Sequence, residues 1–295
     1  MTNLKCPFSP RNFPLPLPPI YAMLSEPMKT WTVTRIRESK GHQKLACLTA
    51  YDYTTAHLID EAGLPLILVG DSLGMTMLGY DSTLPVTMEH MLHHTAAVVR
   101  GVKNALVVAD MPFLSYQVTI AEGVQNAGRL LKEAGADAVK IEGGAIRVEL
   151  IRTLIANGIP MMGHLGLTPQ SVNAFGGYKV QGRDQKTADQ LRADALLLAE
   201  AGVFAIVLEC VPVALAASIT AAVSVPTIGI GAGPSCDGQV LVSHDMLGLN
   251  DAFKPRFVKQ YASLGAQMRT AFAAYAGEVA SGAYPGPEHG YDATP

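Results

Sequence analysis

A repeated pattern runs through the chain from Trp31 onward: a short apolar run, a polar or Gly-rich corner, and an amphipathic stretch that ends in glycine. Such alternation is typical of parallel βα units. Eight apolar runs follow one another, at Lys44–Asp52, Leu64–Ser72, Ala105–Pro112, Ala138–Gly144, Ile159–Gly166, Ala205–Val211, Val225–Gly233 and Gln239–Met246. Eight units predict a closed, single-domain α/β barrel of the (β/α)8 TIM type.

The stretches between the apolar runs have helical periodicity, as in TTAHLIDEAG, TIAEGVQNAGRLLKEAG and QLRADALLLAEAG. Their shared closing AG predicts a helix that ends at a glycine just before the next strand. An open doubly wound sheet is the alternative fold, and such a sheet usually has a phosphate-binding G-x-G-x-x-G after its first strand. Here that corner reads AYDYTTA, which favours the barrel.

The composition indicates one large core and small-molecule substrates. The chain has 295 residues, of which 49% are hydrophobic and 16% charged, and a barrel of about 250 residues would use nearly all of them. A net charge of -3 without long Lys or Arg runs gives no counter-charge for nucleic acid or anionic lipid. Because an apolar surface is usually covered by a neighbouring subunit, we expect a homo-oligomer.

The N-terminal segment differs from the rest of the chain. Residues 1–27 contain the Pro-rich stretch NFPLPLPPIYA and predict either a disordered extension or a misplaced start, which leaves 28–295 as the catalytic barrel. The segment lacks the pattern of a secretory signal, and no stretch approaches the roughly 18 apolar residues of a membrane span. The four cysteines have no paired spacing, so reduced, buried thiols are expected.

Polar side chains close five of the predicted strands. In a (β/α)8 barrel the active site lies at the C-terminal ends of the strands, so these residues are the candidates for chemistry. In strand order they are Asp71 and Ser72, then Asp110, then Lys140 and Glu142, then His164, and finally Glu209. Because side chains alternate along a strand, Lys140 and Glu142 point to the same side, which is the barrel interior.

Three of these residues, Asp71, Asp110 and Glu142, are carboxylates that would converge at one end of the barrel. Carboxylates in such a place repel one another unless a cation lies among them. Oxygen ligands favour a hard ion, and so few protein ligands leave room for water and substrate, which suits Mg2+ better than Ca2+. Each Asp alone could instead be an N-cap or turn residue, so the prediction rests on the three together.

The other strand-end residues each allow two interpretations. Glu209 follows the apolar run Ala205–Leu208, where loss of solvent would favour a proton acceptor, although it could also be a structural acid paired with Arg or Lys. Lys140 either holds a substrate carboxylate or oxyanion, or neutralises Glu142. His164 is either a substrate contact or a core histidine with satisfied partners.

Three further features give weaker signals. The histidines of EHMLHH (His90, His93 and His94) share a helical face but lack the H-E-x-x-H pattern, so a solvated face is expected. The glycines of IGIGAG, Ile228–Gly233, either cradle a phosphate or turn the chain tightly. Segment Leu167–Asp184 is too Gly-rich and polar for one continuous helix and is a candidate lid.

Longer motifs resemble those of the ketopantoate hydroxymethyltransferase family. They are TAYDY (Thr49–Tyr53), VGDSLGM (Val69–Met75), DSTLPVT (Asp81–Thr87), VKIEGG (Val139–Gly144), GHLGLTPQSVN (Gly163–Asn173), FGGYKVQGR (Phe175–Arg183), LECVP (Leu208–Pro212), and IGIGAG followed by DGQVLV (Asp237–Val242). The resemblance extends from about Met28 to YPGPEH, Tyr284–His289. Residues 1–27 depart from it, which puts only the true start of the chain in doubt.

The resemblance implies a cytoplasmic, Mg2+-dependent transferase of pantothenate biosynthesis, in which family members form decamers. It would move a hydroxymethyl group from 5,10-methylenetetrahydrofolate to the enolate of 3-methyl-2-oxobutanoate, giving 2-dehydropantoate and tetrahydrofolate. At the matching positions it implies metal ligation by Asp71, Asp110 and Glu142, substrate contacts from Asp71, Ser72, Asp110 and Lys140 with His164 nearby, and Glu209 as proton acceptor.

Two other functions are compatible with the same strand-end residues. A metal-dependent 2-oxo acid lyase or mutase of the phosphoenolpyruvate mutase and isocitrate lyase type shares the enolate chemistry, but it typically carries a reactive Cys in a K-K-C-G-H-like loop. No such loop occurs in this sequence. A barrel that serves only as a binding or scaffold subunit is the third possibility, and the complete set of polar strand ends argues against it.

Overall fold

The computed structural model describes residues 29–249 and 255–291. Within this part of the chain, eight parallel strands form a closed barrel in sequence order, which confirms the predicted (β/α)8 architecture. The strands are β1 Leu45–Thr49, β2 Leu66–Val69, β3 Leu106–Asp110, β4 Ala138–Glu142, β5 Met161–Gly166, β6 Ala205–Glu209, β7 Thr227–Ile230 and β8 Gly238–Leu241. The predictions for residues 1–27 lie outside the described residues.

Helices lie between the strands and around the barrel. They are α1 Val33–Glu38, α2 Tyr53–Glu61, α3 Leu73–Thr76, α4 Met88–Gly101, α5 Ile120–Lys132, α6 Val148–Ala156, α7 Val172–Phe175, α8 Gln185–Ala201, α9 Val213–Ala222, α10 Ser243–Met246 and α11 Leu264–Ser281. The last predicted strand run was too long at its C-terminal end, because Ser243–Met246 forms α10. Its strand, β8, begins one residue earlier than predicted, at Gly238.

Local signals fix the ends of the helices. Asp52 begins α2 by accepting a hydrogen bond of 2.9 Å from the backbone N of Thr55, and Asp184 begins α8 in the same way through Thr187. Gly202 ends α8 in the left-handed region at φ 101°. Side-chain oxygens satisfy the free N–H groups of a first turn, and glycine adopts positive φ without steric cost, so the predicted AG stop is confirmed here.

The core consists of two layers that follow the alternation of side chains along the strands. Val139 and Ile141 of β4 pack in the outer layer, between the barrel and its helices. Residues such as Met162 and Val207 belong to the inner layer, which fills the barrel itself. Lys140 contacts groups on β3 and β5 from the inside of the barrel, as the alternation predicted.

Helix α11 differs from the other long helices because it does not pack on the barrel. Among its described residues only Gly265, in the first turn, is buried. Four large apolar side chains recur on the helix at intervals of three or four residues, and all are exposed: Met268, Phe272, Tyr275 and Val279. This spacing places them on one face, which we call the α11 stripe. An apolar stripe of this kind ordinarily packs against another protein surface.

The lengths of the helices and the burial of the cysteines bear on two further predictions. None of the helices that the structure describes is both long enough and apolar enough to cross a bilayer. Cys47 and Cys236 are free and buried, as expected. Cys210 is also free, but it is only half-buried because it follows the last residue of β6.

Candidate active site

The strand ends bring the predicted residues together inside one end of the barrel. In the strand register Asp110 lies opposite Lys140, and Glu142 lies opposite His164. Asp71 follows β2, and its backbone N donates a hydrogen bond of 3.1 Å to Asp110 Oδ2. All five of these side chains are buried. A carboxylate-rich pocket with one lysine therefore forms where a parallel barrel places its active site.

Lys140 is the counter-charge inside this pocket. Its Nζ lies 2.8 Å from Asp110 Oδ1 and 3.1 Å from His164 Nδ1. Burial lowers the pKa of Lys140, but the charges of Asp110, Glu142 and Asp71 outweigh burial and hold that pKa above its ordinary value. The ammonium is therefore charged. Its ion pair is with Asp110, the residue opposite it in the register, rather than with Glu142 as one of the two interpretations had it.

Asp71 shows how poorly one lysine balances three carboxylates. Burial, followed by repulsion from Asp110 and Glu142, raises the pKa of Asp71 to about 8, although Lys140 and a hydrogen bond from Gln170 act in the opposite direction. A divalent cation among these oxygens would relieve the repulsion and replace the lost hydration. The excess of buried negative charge is the property that makes this donor set suitable for a hard cation.

The oxygens of the pocket are of the chemical type that binds such a cation, but they are not arranged around an ion. Asp110 Oδ1 is buried and, although close to Lys140 Nζ, makes no hydrogen bond of good geometry within the described residues. It therefore keeps a lone pair for a ligand. No three His, Cys, Asp or Glu side chains in 29–249 and 255–291 already stand at the spacing of an assembled ion site. Binding would require the side chains of Asp71, Asp110 and Glu142 to rearrange around the ion.

His164 joins the pocket to Glu209. Its Nδ1 lies 3.5 Å from Glu142 Oε1, and its Nε2 lies 3.2 Å from Glu209 Oε2. Burial and the Lys140 charge lower the pKa of His164, but the two carboxylates outweigh them and raise it to about 8. The approach of Nε2 to Glu209 is not directed as a hydrogen bond, which favours a substrate contact over a core histidine with satisfied partners.

Glu209 is the most exposed of the four carboxylates, although the apolar run before it predicted a loss of solvent there. Its side chain is 18% exposed, against 5% for those of Asp110 and Glu142. The reason is its place as the last residue of β6, at the rim of the barrel. The next residue, Cys210, has a φ of 48°, a left-handed conformation that is rare outside glycine. Glu209 thus faces the mouth, where a substrate would enter.

Gly166 allows the chain to pass close to Glu209. It ends β5 with a φ of 93°, and a Cβ at this position would lie 2.2 Å from the Glu209 carbonyl oxygen. That oxygen accepts a hydrogen bond of 2.8 Å from the N of Leu167. Because any larger residue would collide with the backbone of β6, glycine is required here for β5 and β6 to hold Glu209 at the rim.

Comparison with known proteins adds the observation that decides the family. The sequence profile of the ketopantoate hydroxymethyltransferase family matches residues 30–287, nearly the whole described chain. The chain belongs to this family. Family membership and the curated relatives make it an enzyme, a hydroxymethyltransferase built on a TIM barrel.

Curated relatives named 3-methyl-2-oxobutanoate hydroxymethyltransferase agree over most of their length. The protein of Carboxydothermus hydrogenoformans is 58% identical over 265 residues, which cover 90% of this chain and 96% of the relative. The protein of Clostridium novyi is 59% identical over 259 residues, covering 88% and 94%. The protein of Enterococcus faecalis is 57% identical over 265 residues, covering 90% and 96%.

Solved structures with low sequence identity share the fold. A phosphonopyruvate hydrolase in complex with oxalate and Mg++ aligns with a TM-score of 0.57 at 13% identity, covering 89% of this chain and 92% of that structure. A 2,3-dimethylmalate lyase of the PEP mutase/isocitrate lyase superfamily aligns with a TM-score of 0.54 at 15% identity, covering 89% and 92%. This chain therefore shares its barrel fold with those two enzymes.

The remaining predicted site residues lie around the rim of the barrel. Ser72 Oγ lies 2.8 Å from the hydroxyl of Tyr51, a buried side chain that follows β1. Segment 167–184 forms a turn at Pro169–Ser171, the short helix α7 and then an irregular stretch, so one continuous helix is absent, as predicted. The N of Gln181 in this segment donates a hydrogen bond of 2.9 Å to the carbonyl oxygen of Cys210. The segment thus borders the same mouth as Glu209.

Two buried residues of the site were not among the predicted candidates. Gln170 and Tyr116 contact each other; Gln170 also donates to Asp71 Oδ2, and the Tyr116 hydroxyl accepts from the backbone N of Glu142. Gln170 stands in GLTPQS, one of the motifs that carry the family resemblance, and this was the only signal for it. Nothing in the pattern around Tyr116 indicated its position, since both contacts depend on loops that fold back over the strand ends.

The histidines of EHMLHH and the glycines of IGIGAG, which gave weaker signals in the sequence, have structural roles. His90 caps α4 through its Nδ1, which accepts a hydrogen bond from the N of Thr87. The Nδ1 of His94 lies 2.6 Å from the carbonyl oxygen of Tyr51. The expected solvated face is therefore wrong for these two histidines, while His93 is exposed. In IGIGAG, the glycines at 231 and 233 have positive φ, as a tight turn requires.

Proposed function

We propose that this enzyme transfers a hydroxymethyl group from 5,10-methylenetetrahydrofolate to 3-methyl-2-oxobutanoate, giving 2-dehydropantoate and tetrahydrofolate. The observation that carries the proposal is the placing of Asp71, Asp110 and Glu142 around one charged lysine beside Glu209. The name of the curated relatives identifies the oxo acid and the type of reaction. The folate donor and the enolate route rest on the family resemblance and on the chemistry of the pocket.

The three buried carboxylates are the ligands that we propose for Mg2+. When bound, the cation would supply Lewis-acid chemistry that polarises the 2-oxo group of the substrate and makes the C3 proton more acidic. Asp71 and Asp110 are already joined by the hydrogen bond from the Asp71 N. These two residues, with Ser72 and Lys140, are also the proposed contacts of the oxo acid.

Glu209 is the proposed proton acceptor. Its side chain faces the mouth from the end of β6, where a C3 proton could approach within hydrogen-bond distance. Removing that proton moves the bonding pair into the substrate and gives an enolate, while the proton stays on the Glu209 carboxyl. The neighbouring His164, whose Nε2 lies 3.2 Å away, borders the carboxylate on its interior side.

Lys140 is the residue that we propose to stabilise the enolate oxygen. A fixed positive charge in a buried pocket is worth far more than one in water, because no solvent has to reorganise as charge develops. The enolate carbon then forms a bond to the methylene carbon of the opened folate iminium, whose C=N electron pair moves to the folate nitrogen. Water then adds its oxygen to the same carbon as the C–N bond breaks, and the bonding pair and one water proton go to the nitrogen of the departing tetrahydrofolate. Segment 167–184 is the proposed lid that limits other water at this stage.

Hydrogen exchange separates this function from its alternatives. The C3 proton of 3-methyl-2-oxobutanoate should exchange with deuterated water in the presence of enzyme and Mg2+ and without folate. A binding or scaffold subunit would give no exchange, whereas a lyase would exchange or cleave an oxo acid and form no product on addition of 5,10-methylenetetrahydrofolate. Folate-dependent formation of 2-dehydropantoate is the result expected for the transferase.

We also propose a homo-oligomer, a decamer by the family resemblance, and a cytoplasmic enzyme whose catalytic domain spans 28–295. The α11 stripe supports an oligomer because its four large apolar side chains are exposed on one face of the helix. Packing against a second copy would remove this area from water, at roughly 25 cal/mol per Å2. The cellular location rests on the resemblance alone.

A further inference from the structure

Gln170 is the point at which the lid segment contacts the carboxylate pocket. Its side-chain Nε2 donates hydrogen bonds of 2.9 Å to Asp71 Oδ2 and 2.9 Å to the carbonyl oxygen of Met111. Its backbone N donates a further bond of 3.1 Å to Glu142 Oε2. One residue, itself buried, therefore holds two of the three proposed metal ligands, which come from different strands.

The amide of Gln170 is fixed in one orientation. Its Oε1 accepts a hydrogen bond of 2.7 Å from the hydroxyl of Tyr116 and one of 3.2 Å from Nε2 of Gln117. The Tyr116 hydroxyl in turn accepts a bond of 3.1 Å from the backbone N of Glu142. A flipped amide would point its oxygen at Asp71, so the network determines which end faces the carboxylate.

These bonds leave one oxygen of each carboxylate without a bond to Gln170. Gln170 donates to Oδ2 of Asp71 and to Oε2 of Glu142. Oδ1 of Asp71 and Oε1 of Glu142 make no bond to Gln170. Because an amide donor is neutral, it orients a carboxylate without cancelling the charge that attracts a cation. A lysine or arginine in the same place would orient the carboxylate and compete with the cation.

We propose that Gln170 is a positioning residue that orients Asp71 and Glu142, so that one oxygen of each carboxylate is available to the divalent cation. This inference rests on the proposed function, since it presumes that these carboxylates are the ligands. It assigns the first turn of segment 167–184 a role in the metal site besides that of a lid. Partners of metal ligands typically change metal affinity about 10- to 100-fold when they are removed.

The test measures binding of Mn2+ alone, by electron paramagnetic resonance of the free ion, with no substrate present. Gln170→Met keeps the length of the side chain and removes its polar atoms. Gln185→Met is the matched control, because it makes the same substitution just outside segment 167–184, at an exposed side chain that bonds Asp189 of α8 and lies outside the Gln170 network. We expect Gln170→Met to weaken Mn2+ binding about 10-fold or more, and Gln185→Met to change it under about 3-fold.

Thermal unfolding of both variants separates positioning from a general loss of structure. Equal Mn2+ affinity in the wild-type and Gln170→Met enzymes overturns the positioning role and leaves the metal site intact. Equal weakening in both Met variants also overturns it. A wild-type enzyme that binds no Mn2+ overturns the metal site and this inference together. If Gln170→Met does not fold, Tyr116→Phe decides: a few-fold loss of affinity supports the role, and unchanged affinity overturns it.

Discussion

Lys140 Nζ lies 2.8 Å from Asp110 Oδ1, and neither side chain is more than 5% exposed. The two residues face each other because β3 and β4 pair in a register that places Asp110 opposite Lys140. A buried pair of this kind contributes little net stability by itself, but removing one partner leaves the other charge without compensation.

Replacing Lys140 with Met should therefore lower the free energy of unfolding by about 3–5 kcal/mol at neutral pH. Lys29→Met is the control, since Lys29 pairs with Asp137 at 26% exposure on both sides and such pairs contribute about 0–1 kcal/mol. Urea unfolding followed by circular dichroism measures both values. Similar losses in the two variants would show that burial of the Lys140 pair has no special cost.

Replacing Glu209 with Gln should lower turnover by roughly 10²-fold or more, while Mg2+ and the oxo acid still bind. The amide keeps the shape of the side chain and cannot accept the C3 proton. Initial rates of 2-dehydropantoate formation and C3 exchange measure the effect. Glu200→Gln, on the exposed side of α8, is the control and should leave both rates unchanged. An unaltered exchange rate in Glu209→Gln would remove Glu209 from the role of proton acceptor.

Replacing Asp110 with Ala should abolish the Mg2+-dependent part of oxo acid binding, because the pocket loses the carboxylate whose Oδ1 has a free lone pair. Titration calorimetry with and without Mg2+ measures this directly. Asp189→Ala, on the outer face of α8, removes a carboxylate of the same size far from the pocket and should bind normally. Normal affinity in Asp110→Ala would contradict the metal site.

Asp60 should make the stability depend on pH. Burial alone would raise its pKa, but hydrogen bonds from the backbone N–H groups of Ala105, Lys103 and Asn104 outweigh burial and lower the pKa. The ionised carboxylate therefore stabilises the fold above its unfolded pKa of about 4, and this contribution is lost as the pH falls through the folded pKa.

Asp60→Asn should accordingly lower the free energy of unfolding by about 2 kcal/mol at about pH 7, and its difference from the wild type should shrink as the pH falls below about 4. Urea unfolding across this range gives the comparison. Asp189→Asn, an exposed carboxylate, should cost under about 1 kcal/mol. A constant difference between Asp60→Asn and the wild type at every pH would refute the ionic origin of the effect.

Replacing Phe272 with Asp should reduce the size of the oligomer, because it places a charge in the middle of the α11 stripe. Light scattering after gel filtration measures the mass, and circular dichroism checks that the barrel is intact. Thr270→Asp adds the same charge on the opposite side of α11 and should leave the mass unchanged. A wild-type enzyme with the mass of a single chain would contradict the proposed oligomer.

Much of the site could be predicted because it follows from local rules. The alternation along β4 placed Lys140 and Glu142 inside the barrel, and the position of Asp110 and Glu209 at strand ends placed them at one mouth. Neither step requires knowledge of a distant contact. The period of two along a strand and the common direction of parallel strands are sufficient.

Other properties depended on contacts between segments far apart in the chain. Gln170 and Tyr116 reach the pocket only because their loops return over the strand ends, and sequence periodicity carries no information about such a path. The exposure of Glu209 was predicted wrongly for the same reason: apolar neighbours along a strand say nothing about how far the rim extends above its last residue.

The sequence by itself determined the number of βα units, the residues at their strand ends and, through long motifs, the family. The tertiary structure decided that Lys140 pairs with Asp110, that one amide holds Asp71 and Glu142, and that α11 stands apart from the barrel. The physical reason is the distance along the chain over which each effect acts. Propensity and alternation act over a few residues, whereas the partner of a buried charge is set by strand register and loop packing across the whole barrel.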